Sequence, residues 1–229
     1  YTTLFRSFRG TFQTIQGFFR QAYEGRWYSY TDFEAIDARS AFPCYDEPRF
    51  KVPWTVHVKA PENQLAFSNA PERAREDDPN GGTWFHFEPT PPLPSYLVAF
   101  AVGPFDTISS STARVPLRII APKGEANKGR FVLDHSPTWL AYLEEYFGTE
   151  VPYPKLDLIA VPHFGGAMEN PGLITYSSSI LLTGSNPSDS EERRAAGVTA
   201  HEFAHLWFGD LVTLDHWKNL WLNEGFATW

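Results

Sequence analysis

The sequence is poor in cysteine: Cys44 is the single one among 229 residues. One thiol cannot form an intrachain disulfide, which excludes a small secreted fold stapled by disulfides. An isolated cysteine is more often a small buried apolar residue than a nucleophile. The composition is therefore compatible with a reducing compartment such as the cytoplasm.

Long apolar stretches are also missing. A membrane-spanning helix needs about 18 or more consecutive apolar residues, and the sequence has no such run. We therefore expect no membrane segment in this stretch. The sequence starts YTTLFRSF, with neither a methionine nor a basic segment followed by an apolar one. We expect the natural N-terminus, and any targeting signal, to lie upstream of Tyr1.

Basic residues are scarce relative to acidic ones. Lys and Arg together number 19 against 27 Asp and Glu, which gives a formal net charge of −8. Without a basic stripe to neutralise phosphates, a nucleic-acid partner is disfavoured. An acidic field attracts cationic ligands, although a solvated acidic surface explains the same charges. With 42% hydrophobic and 20% charged residues, the composition is that of a folded soluble protein.

The first half of the chain has patterns typical of β-strands. Short alternating or aromatic-rich runs are separated by segments rich in Pro, Gly, Asn and Asp. The predicted strands are 26–33, 54–58, 83–87, 96–102 and 117–121.

After Pro122 the apolar residues fall at helical intervals, and Pro137 is expected to start a second helix or to kink the first. The residues SNPSDSEE offer several N-caps for a later helix. The predicted elements are a helix over 126–147, a strand over 156–161, an extended segment over 173–182, a helix over about 190–208 and a helix from about 220. The order predicts an α+β fold, with an N-terminal β domain over 1–121 and a second domain over 122–229.

The segment HEFAH, residues 201–205, predicts a metal site on a helix. His201 and His205 are four positions apart, so both imidazoles can reach one ion from the same helical face. Glu202 lies on the flank of that face, where it can act as a general base without binding the metal. The alternative is an ordinary amphipathic helix that contains histidines. The polar side that these residues share with Thr199 favours the metal site.

A catalytic zinc site usually has three protein ligands and one open position. Glu224, in the segment WLNEGFA, is the candidate third ligand. Two imidazoles and a carboxylate favour one Zn²⁺ per chain, although Co²⁺ or Mn²⁺ would also bind such a set.

A second motif, GGAMEN, occupies residues 165–170. Taken alone, it indicates either a glycine-containing strand edge, where an extended peptide could pair, or a plain turn with a surface glutamate, Glu169.

Together the motifs resemble the gluzincin aminopeptidases of the aminopeptidase N family. GGAMEN matches that family's exopeptidase motif, and HEFAH with WLNEGFA matches its zinc site. The segment TDFEAIDARSAFPCYDEPRFKV, residues 31–52, resembles its N-terminal β domain, and the resemblance extends from about residue 20 to 229. It implies part of a β-sandwich or saddle domain, followed by the first part of a thermolysin-like catalytic domain with the GAMEN strand, the HExxH helix and the helix of the zinc-binding glutamate.

The resemblance implies a zinc-dependent aminopeptidase, which removes single amino acids from peptides with a free N-terminus. It assigns the metal ligands to His201, His205 and Glu224, and the general base to Glu202. A fully active site would also need a tyrosine that lies beyond Trp229. We therefore expect the sequence to be an internal fragment, which on its own could be inactive.

The resemblance also implies the substrate-binding residues. Glu169 would be the main anchor of the substrate's α-ammonium group, and Glu34 a second one. Gly166 and Ala167 would hold the peptide backbone, with Met168 in the same strand. A further glycine, Gly165, would border a roomy pocket for the first side chain.

The sequence departs from the family's pattern at Leu206, Asp210 and Asn219, where the family commonly has Gln, Asn and an acid. These positions tune the orientation of the metal ligands.

Three alternatives remain open at this point. The leukotriene-hydrolase branch adds epoxide hydrolysis, but its motif has GGMEN rather than GAMEN. A thermolysin-like endopeptidase shares the helix and the distant glutamate, yet has no reason to carry paired ammonium anchors. A non-catalytic scaffold for protein binding would be expected to lose metal ligands or the base, whereas His201, Glu202, His205 and Glu224 are all present.

Overall fold

The computed structural model describes residues 7–229. In chain order, its strands are β1 (Gly17–Tyr23), β2 (Arg26–Asp32), β3 (His57–Ala60), β4 (Leu65–Ser68), β5 (Glu72–Asp77), β6 (Thr83–Phe87), β7 (Phe100–Gly103), β8 (Phe105–Ser109), β9 (Leu117–Pro122), β10 (Leu156–Val161), β11 (Ala167–Met168) and β12 (Leu173–Ser177). Its helices are α1 (Ala38–Ala41), α2 (Arg130–Phe147), α3 (Ser178–Leu181), α4 (Asp189–His205) and α5 (Leu220–Thr228).

The N-terminal half contains two antiparallel sheets. One has the strand order β1-β2-β7-β4 and the other the order β3-β6-β5. Helices dominate the second half, and the predicted α+β class, with an N-terminal antiparallel β region, is confirmed.

A five-stranded mixed sheet, in the order β11-β12-β10-β9-β8, lies between the helices and the four-stranded sheet. Alternate residues of its central strands face opposite ways. Leu158 packs in the cluster with helices α2 and α4, whereas Ile159 packs with Phe19 and Tyr30 of the four-stranded sheet. All residues of β10 are buried, as expected for a parallel strand covered on both faces.

Several predicted elements differ from the structure in their bounds. The segment predicted as extended over 173–182 ends as a strand at Ser177 and continues as the helical turn α3. Helix α4 ends at His205 rather than at 208. Helix α2 continues through Pro137, so no second helix starts there.

The predicted domain boundary, between residues 121 and 122, falls near the end of β9, inside the five-stranded sheet. This boundary stays a prediction. Over residues 7–229, none of the helices combines the length and the apolar character that crossing a membrane requires.

Candidate metal centre and ammonium site

Helix α4 presents the two histidines of HEFAH at its C-terminal end. The helix begins with a capping box, in which the Ser188 hydroxyl accepts from the Glu191 N–H and the Glu191 carboxylate accepts from the Ser188 N–H. Acidic residues in the first turn suit the positive end of the helix dipole. The capping box anchors the start of α4, and the two histidines lie one turn apart at its other end.

The three predicted metal ligands converge. The Nε2 atoms of His201 and His205 are 3.0 Å apart, and the Glu224 carboxylate lies 3.3 Å from His201 Nε2 and 3.7 Å from His205 Nε2. Helix α5 contributes Glu224, and it packs against α4. One donor atom from each residue lies within 4.8 Å of the others, which is close enough for a single ion.

A hydrogen bond orients the imidazole of His205, a candidate ligand. Its Nδ1–H donates to the carbonyl of Phe208 at 2.9 Å, which leaves Nε2 as the atom that faces Glu224. Burial, with a contribution from His201, lowers the pKa of His205 to about 4. The imidazole is therefore neutral near pH 7, as a metal ligand must be.

Glu202 is almost completely buried beside these ligands. Its Oε2 atom has no hydrogen-bond partner among residues 7–229. Burial raises the pKa of Glu202 well above its ordinary value, and the neighbouring carboxylates of Glu169, Glu224 and Glu34 raise it further. A carboxylate in this position needs a cation nearby in order to remain ionised.

The two predicted ammonium anchors also meet at this place. Carboxylate oxygens of Glu34, Glu169 and Glu224 lie within 4.8 Å of one another. Burial, followed by Glu169, raises the pKa of Glu34 to about 8, and burial raises that of Glu169 to about 7. In the described part of the chain, Oε1 of Glu34 and Oε1 of Glu169 have no hydrogen-bond donor. These carboxylates form an acidic site that a cationic group would complete.

Strand β11 lies at the edge of the five-stranded sheet and leads directly into Glu169. The carbonyl of Gly166 accepts from the Ser177 N–H at 2.8 Å, so it is used within the sheet. Backbone groups of alternate residues point to the same edge, and Ala167 therefore faces the outer edge. Met168 is buried in the core beneath the strand.

Gly165 borders a cavity of about 430 Å³, which Phe164, Asp32 and Glu34 also line. No heavy atom lies within 4 Å of the position that a Gly165 side chain would occupy, apart from its own chain neighbours. The glycine thus leaves room next to the acidic site, and the pocket for the first side chain stays a prediction.

The three departures from the family's pattern have different surroundings. Leu206 is fully buried in the core, and Asn219 directly precedes α5 without capping it through its side chain. Asp210 is also fully buried, and within residues 7–229 both of its carboxylate oxygens are without a hydrogen-bond donor. Burial raises its pKa well above the ordinary value.

Sequence reasoning missed the buried polar residues behind Glu169, namely Asn69, Lys155 and Asp157. A signal for two of them was present: Lys155 and Asp157 are charged residues two positions apart at the start of an otherwise apolar run. Two unlike charges at that spacing in a buried strand indicate an ion pair within the core.

Comparison with known proteins agrees with these motifs. Residues 1–97 match the Peptidase M1 N-terminal domain, and residues 131–229 match the Peptidase family M1 domain. Aminopeptidase M1-B of Oryza sativa subsp. japonica is 42% identical over 230 residues, which cover 97% of this chain and 26% of that protein. Glutamyl aminopeptidase of Sus scrofa is 41% identical over 94% of this chain and 24% of its own length.

Alanine/arginine aminopeptidase of Saccharomyces cerevisiae is likewise 41% identical, over 94% of this chain and 26% of that protein. The chain thus spans about a quarter of the length of these relatives. Both halves of the chain match the same family, in the order of that family's domains, and the resemblance to the aminopeptidase N group is confirmed. The chain belongs to peptidase family M1.

Proposed function

We propose that the protein that carries this chain is a zinc-dependent aminopeptidase, which removes N-terminal residues from peptides. One observation carries the proposal: Glu224 belongs to two clusters. It lies with His201 and His205 in the candidate metal-ligand set, and with Glu34 and Glu169 in the carboxylate set. A site for a divalent cation and a site for an ammonium group are therefore adjacent.

The residues present fit a zinc ion. Two imidazoles and one carboxylate supply three donors and leave a position open, the pattern of catalytic rather than structural zinc. A divalent cation would stabilise the neighbouring carboxylates, whose pKa values are raised. A bound zinc ion would acidify water and stabilise negative charge on a carbonyl oxygen.

Glu202 follows His201 directly and is the candidate general base. Its side chain is buried next to the metal ligands, and its Oε2 atom has no hydrogen-bond partner within residues 7–229 that would compete for it. It would take a proton from the attacking water and deliver it to the leaving amine. A nearby cation would favour the ionised form needed for the first step, and the raised pKa of the carboxyl favours holding the proton until it is passed on.

Glu34 and Glu169 would explain why cleavage is restricted to the N-terminal residue. A free α-ammonium group carries a positive charge and three N–H donors, and it can satisfy both carboxylates at once. An internal peptide nitrogen carries no charge and would leave the buried Glu169 and the half-buried Glu34 unpaired, which is costly. The edge strand β11, with the backbone of Ala167 facing outwards, would align the peptide next to them.

The relatives' names support peptide hydrolysis, because each is an aminopeptidase. Their stated preferences differ, from glutamyl to alanine/arginine, so they do not define the preferred first residue of the present protein.

The test uses the full-length protein and a pair of peptides of one sequence, with a free and with an acetylated N-terminus. We expect hydrolysis of the free peptide, release of its first residue and about one equivalent of zinc per chain. We expect the acetylated peptide to be cleaved at least about a hundredfold more slowly, a difference of about 2.7 kcal/mol. Equal rates would exclude the ammonium site, and full activity after complete metal removal would exclude the metal site.

A further inference from the structure

The two proposed ammonium anchors come from different sheets. Glu34 follows β2 of the four-stranded sheet, whereas Glu169 follows β11 of the five-stranded sheet. The distance between their carboxylates therefore depends on how the two sheets are held together. The segment Asn170–Gly172, directly after Glu169, is a place where the sheets are connected.

Asn69 makes the first connection. It follows β4 in the four-stranded sheet and is 4% exposed. Its Nδ2 donates to the carbonyls of Pro171 and Leu97, both at 2.9 Å, and its Oδ1 accepts from the N–H of Ala99 at 2.7 Å. One amide thus binds the segment after Glu169 to the backbone that leads into β7.

Gly172 brings the two backbones into direct contact. Its φ is +78°, and a Cβ at this position would lie 2.0 Å from the carbonyl oxygen of Asn69. No other residue type fits there without displacing one of the segments. The approach of the two chain segments is therefore as close as a backbone allows.

Lys155 makes the second connection. Its buried ammonium group donates to the carbonyl of Ser68 at 2.8 Å, to the carboxylate of Asp157 at 2.8 Å and, through a short contact, to the carbonyl of Gly172. Ser68 ends β4, so this one cation joins both sheets and the segment after Glu169. Asp157 balances its charge and also accepts two hydrogen bonds from Arg118, each 2.7 Å long.

We propose that Asn69 and Lys155 are positioning residues, which hold the segment Asn170–Gly172 against the four-stranded sheet and thereby set the spacing between Glu169 and Glu34 for the substrate's ammonium group. The inference rests on the proposed function, because an ammonium that bridges two carboxylates requires that spacing. Hydrogen bonds weaken steeply when a partner moves by about 1 Å, so loosening the segment should weaken ammonium binding before it affects the metal site.

The test compares Lys155→Met and Asn69→Asp with Arg118→Met in the full-length, zinc-loaded protein. Arg118 binds the same Asp157 carboxylate. Within residues 7–229, none of its hydrogen bonds reaches the segment 170–172. Arg118→Met is thus a matched control for disturbing the buried charge. Asn69→Asp keeps the size of the side chain and its acceptor for Ala99, but a carboxylate cannot donate to the carbonyls of Pro171 and Leu97.

The probe is a pair of competitive inhibitors, an aminoacyl hydroxamate and the same hydroxamate without its amino group. Both can bind the metal, but only the first carries an ammonium, so the ratio of their inhibition constants reports the ammonium site. We expect Lys155→Met and Asn69→Asp to reduce the advantage of the amine at least about tenfold and to raise KM similarly. Zinc content should be unchanged and kcat should stay within about threefold.

In Arg118→Met the ratio should stay within about twofold of the wild-type value, and Lys155→Arg should recover part of the loss. A wild-type ratio in folded, zinc-loaded Lys155→Met or Asn69→Asp would overturn the inference, as would an equal loss in Arg118→Met. If Lys155→Met does not fold, the ratio in Asn69→Asp decides. If the wild-type protein itself shows no amine advantage, the proposed function fails, and that result is distinct from failure of the positioning role.

Discussion

Replacing Glu202 by glutamine is expected to inactivate the protein and, in the metal-free state, to stabilise it. The side chain is 4% exposed, and its carboxylate has three acidic neighbours, Glu169, Glu224 and Glu34. Glutamine has nearly the same volume but no charge, so it removes a buried repulsion without opening a cavity. Loss of a general base lowers turnover by about 10²- to 10⁴-fold.

The stabilisation should be at least about 1 kcal/mol, because an uncompensated buried charge costs more than an unsatisfied neutral amide in the same place. For a domain of this size, each kcal/mol raises Tm by about 2–4 °C. The measurement is thermal unfolding after chelation, since a bound metal ion would offset the acidic charge. Zinc content and kcat on aminoacyl chromogenic amides are then determined on the reloaded protein.

Glu192→Gln is the matched control, because Glu192 lies in the first turn of the same helix, α4, far from the metal ligands. It should leave turnover unchanged and should slightly lower stability, because a negative charge is favourable at a helix N-terminus. Substantial turnover in zinc-loaded Glu202→Gln would refute the general-base assignment. A lower Tm of the metal-free variant than of the wild type would refute the charge argument.

Three further changes test stability. Burial raises the pKa of Asp32 from 3.8 to about 6, so the stabilisation that comes from its bound proton is complete below pH 3.8 and is lost as the pH rises through about 6. Asp32→Asn should therefore be more stable than the wild type by up to about 3 kcal/mol at pH 8 and by little at pH 4. Tm values at the two pH values will show the difference. Ser188→Ala removes the hydroxyl that caps α4 and should cost about 1 kcal/mol in denaturant unfolding; an unchanged midpoint would argue against the cap. Gly172→Ala and Gly148→Ala both place alanine at a positive φ, +78° and +68°, but only the first brings a Cβ against the carbonyl of Asn69. Gly172→Ala should therefore lower the free energy of unfolding by at least about 2 kcal/mol more than Gly148→Ala. Equal losses would contradict the close approach.

The buried strand and the long helices of the second half could be predicted well from the sequence, whereas β1, β4 and β8 were not predicted. The strand predicted over 156–161 is β10, and the helix predicted over 126–147 matches α2 with the 3₁₀ turn that precedes it. Strand β5, with the sequence ERARED, was missed because all of its residues are exposed. It is held by backbone pairing with β6, which leaves no trace in the apolar pattern.

The local part of the site was predictable, and the long-range part was not. The spacing of His201 and His205 on one helix already indicates that both imidazoles can reach one ion. Nothing local places Glu34 next to Glu169, because these residues lie on different sheets and meet only in the folded chain. For that pair, resemblance to a known family was needed. The roles of Asn69 and Lys155 required the structure itself, since they act on backbone carbonyls rather than on a motif.

The five-stranded sheet has a practical consequence for dissecting the protein. The match to the Peptidase family M1 domain starts at residue 131, but β9 pairs in parallel with β10 and β8 pairs with β9, all within one sheet. A polypeptide that starts at residue 131 would lack β9, so one edge of β10 would be unpaired. An unpaired edge on a buried apolar strand promotes intermolecular aggregation. Expression of the C-terminal half alone should therefore begin no later than Phe105, at the first residue of β8.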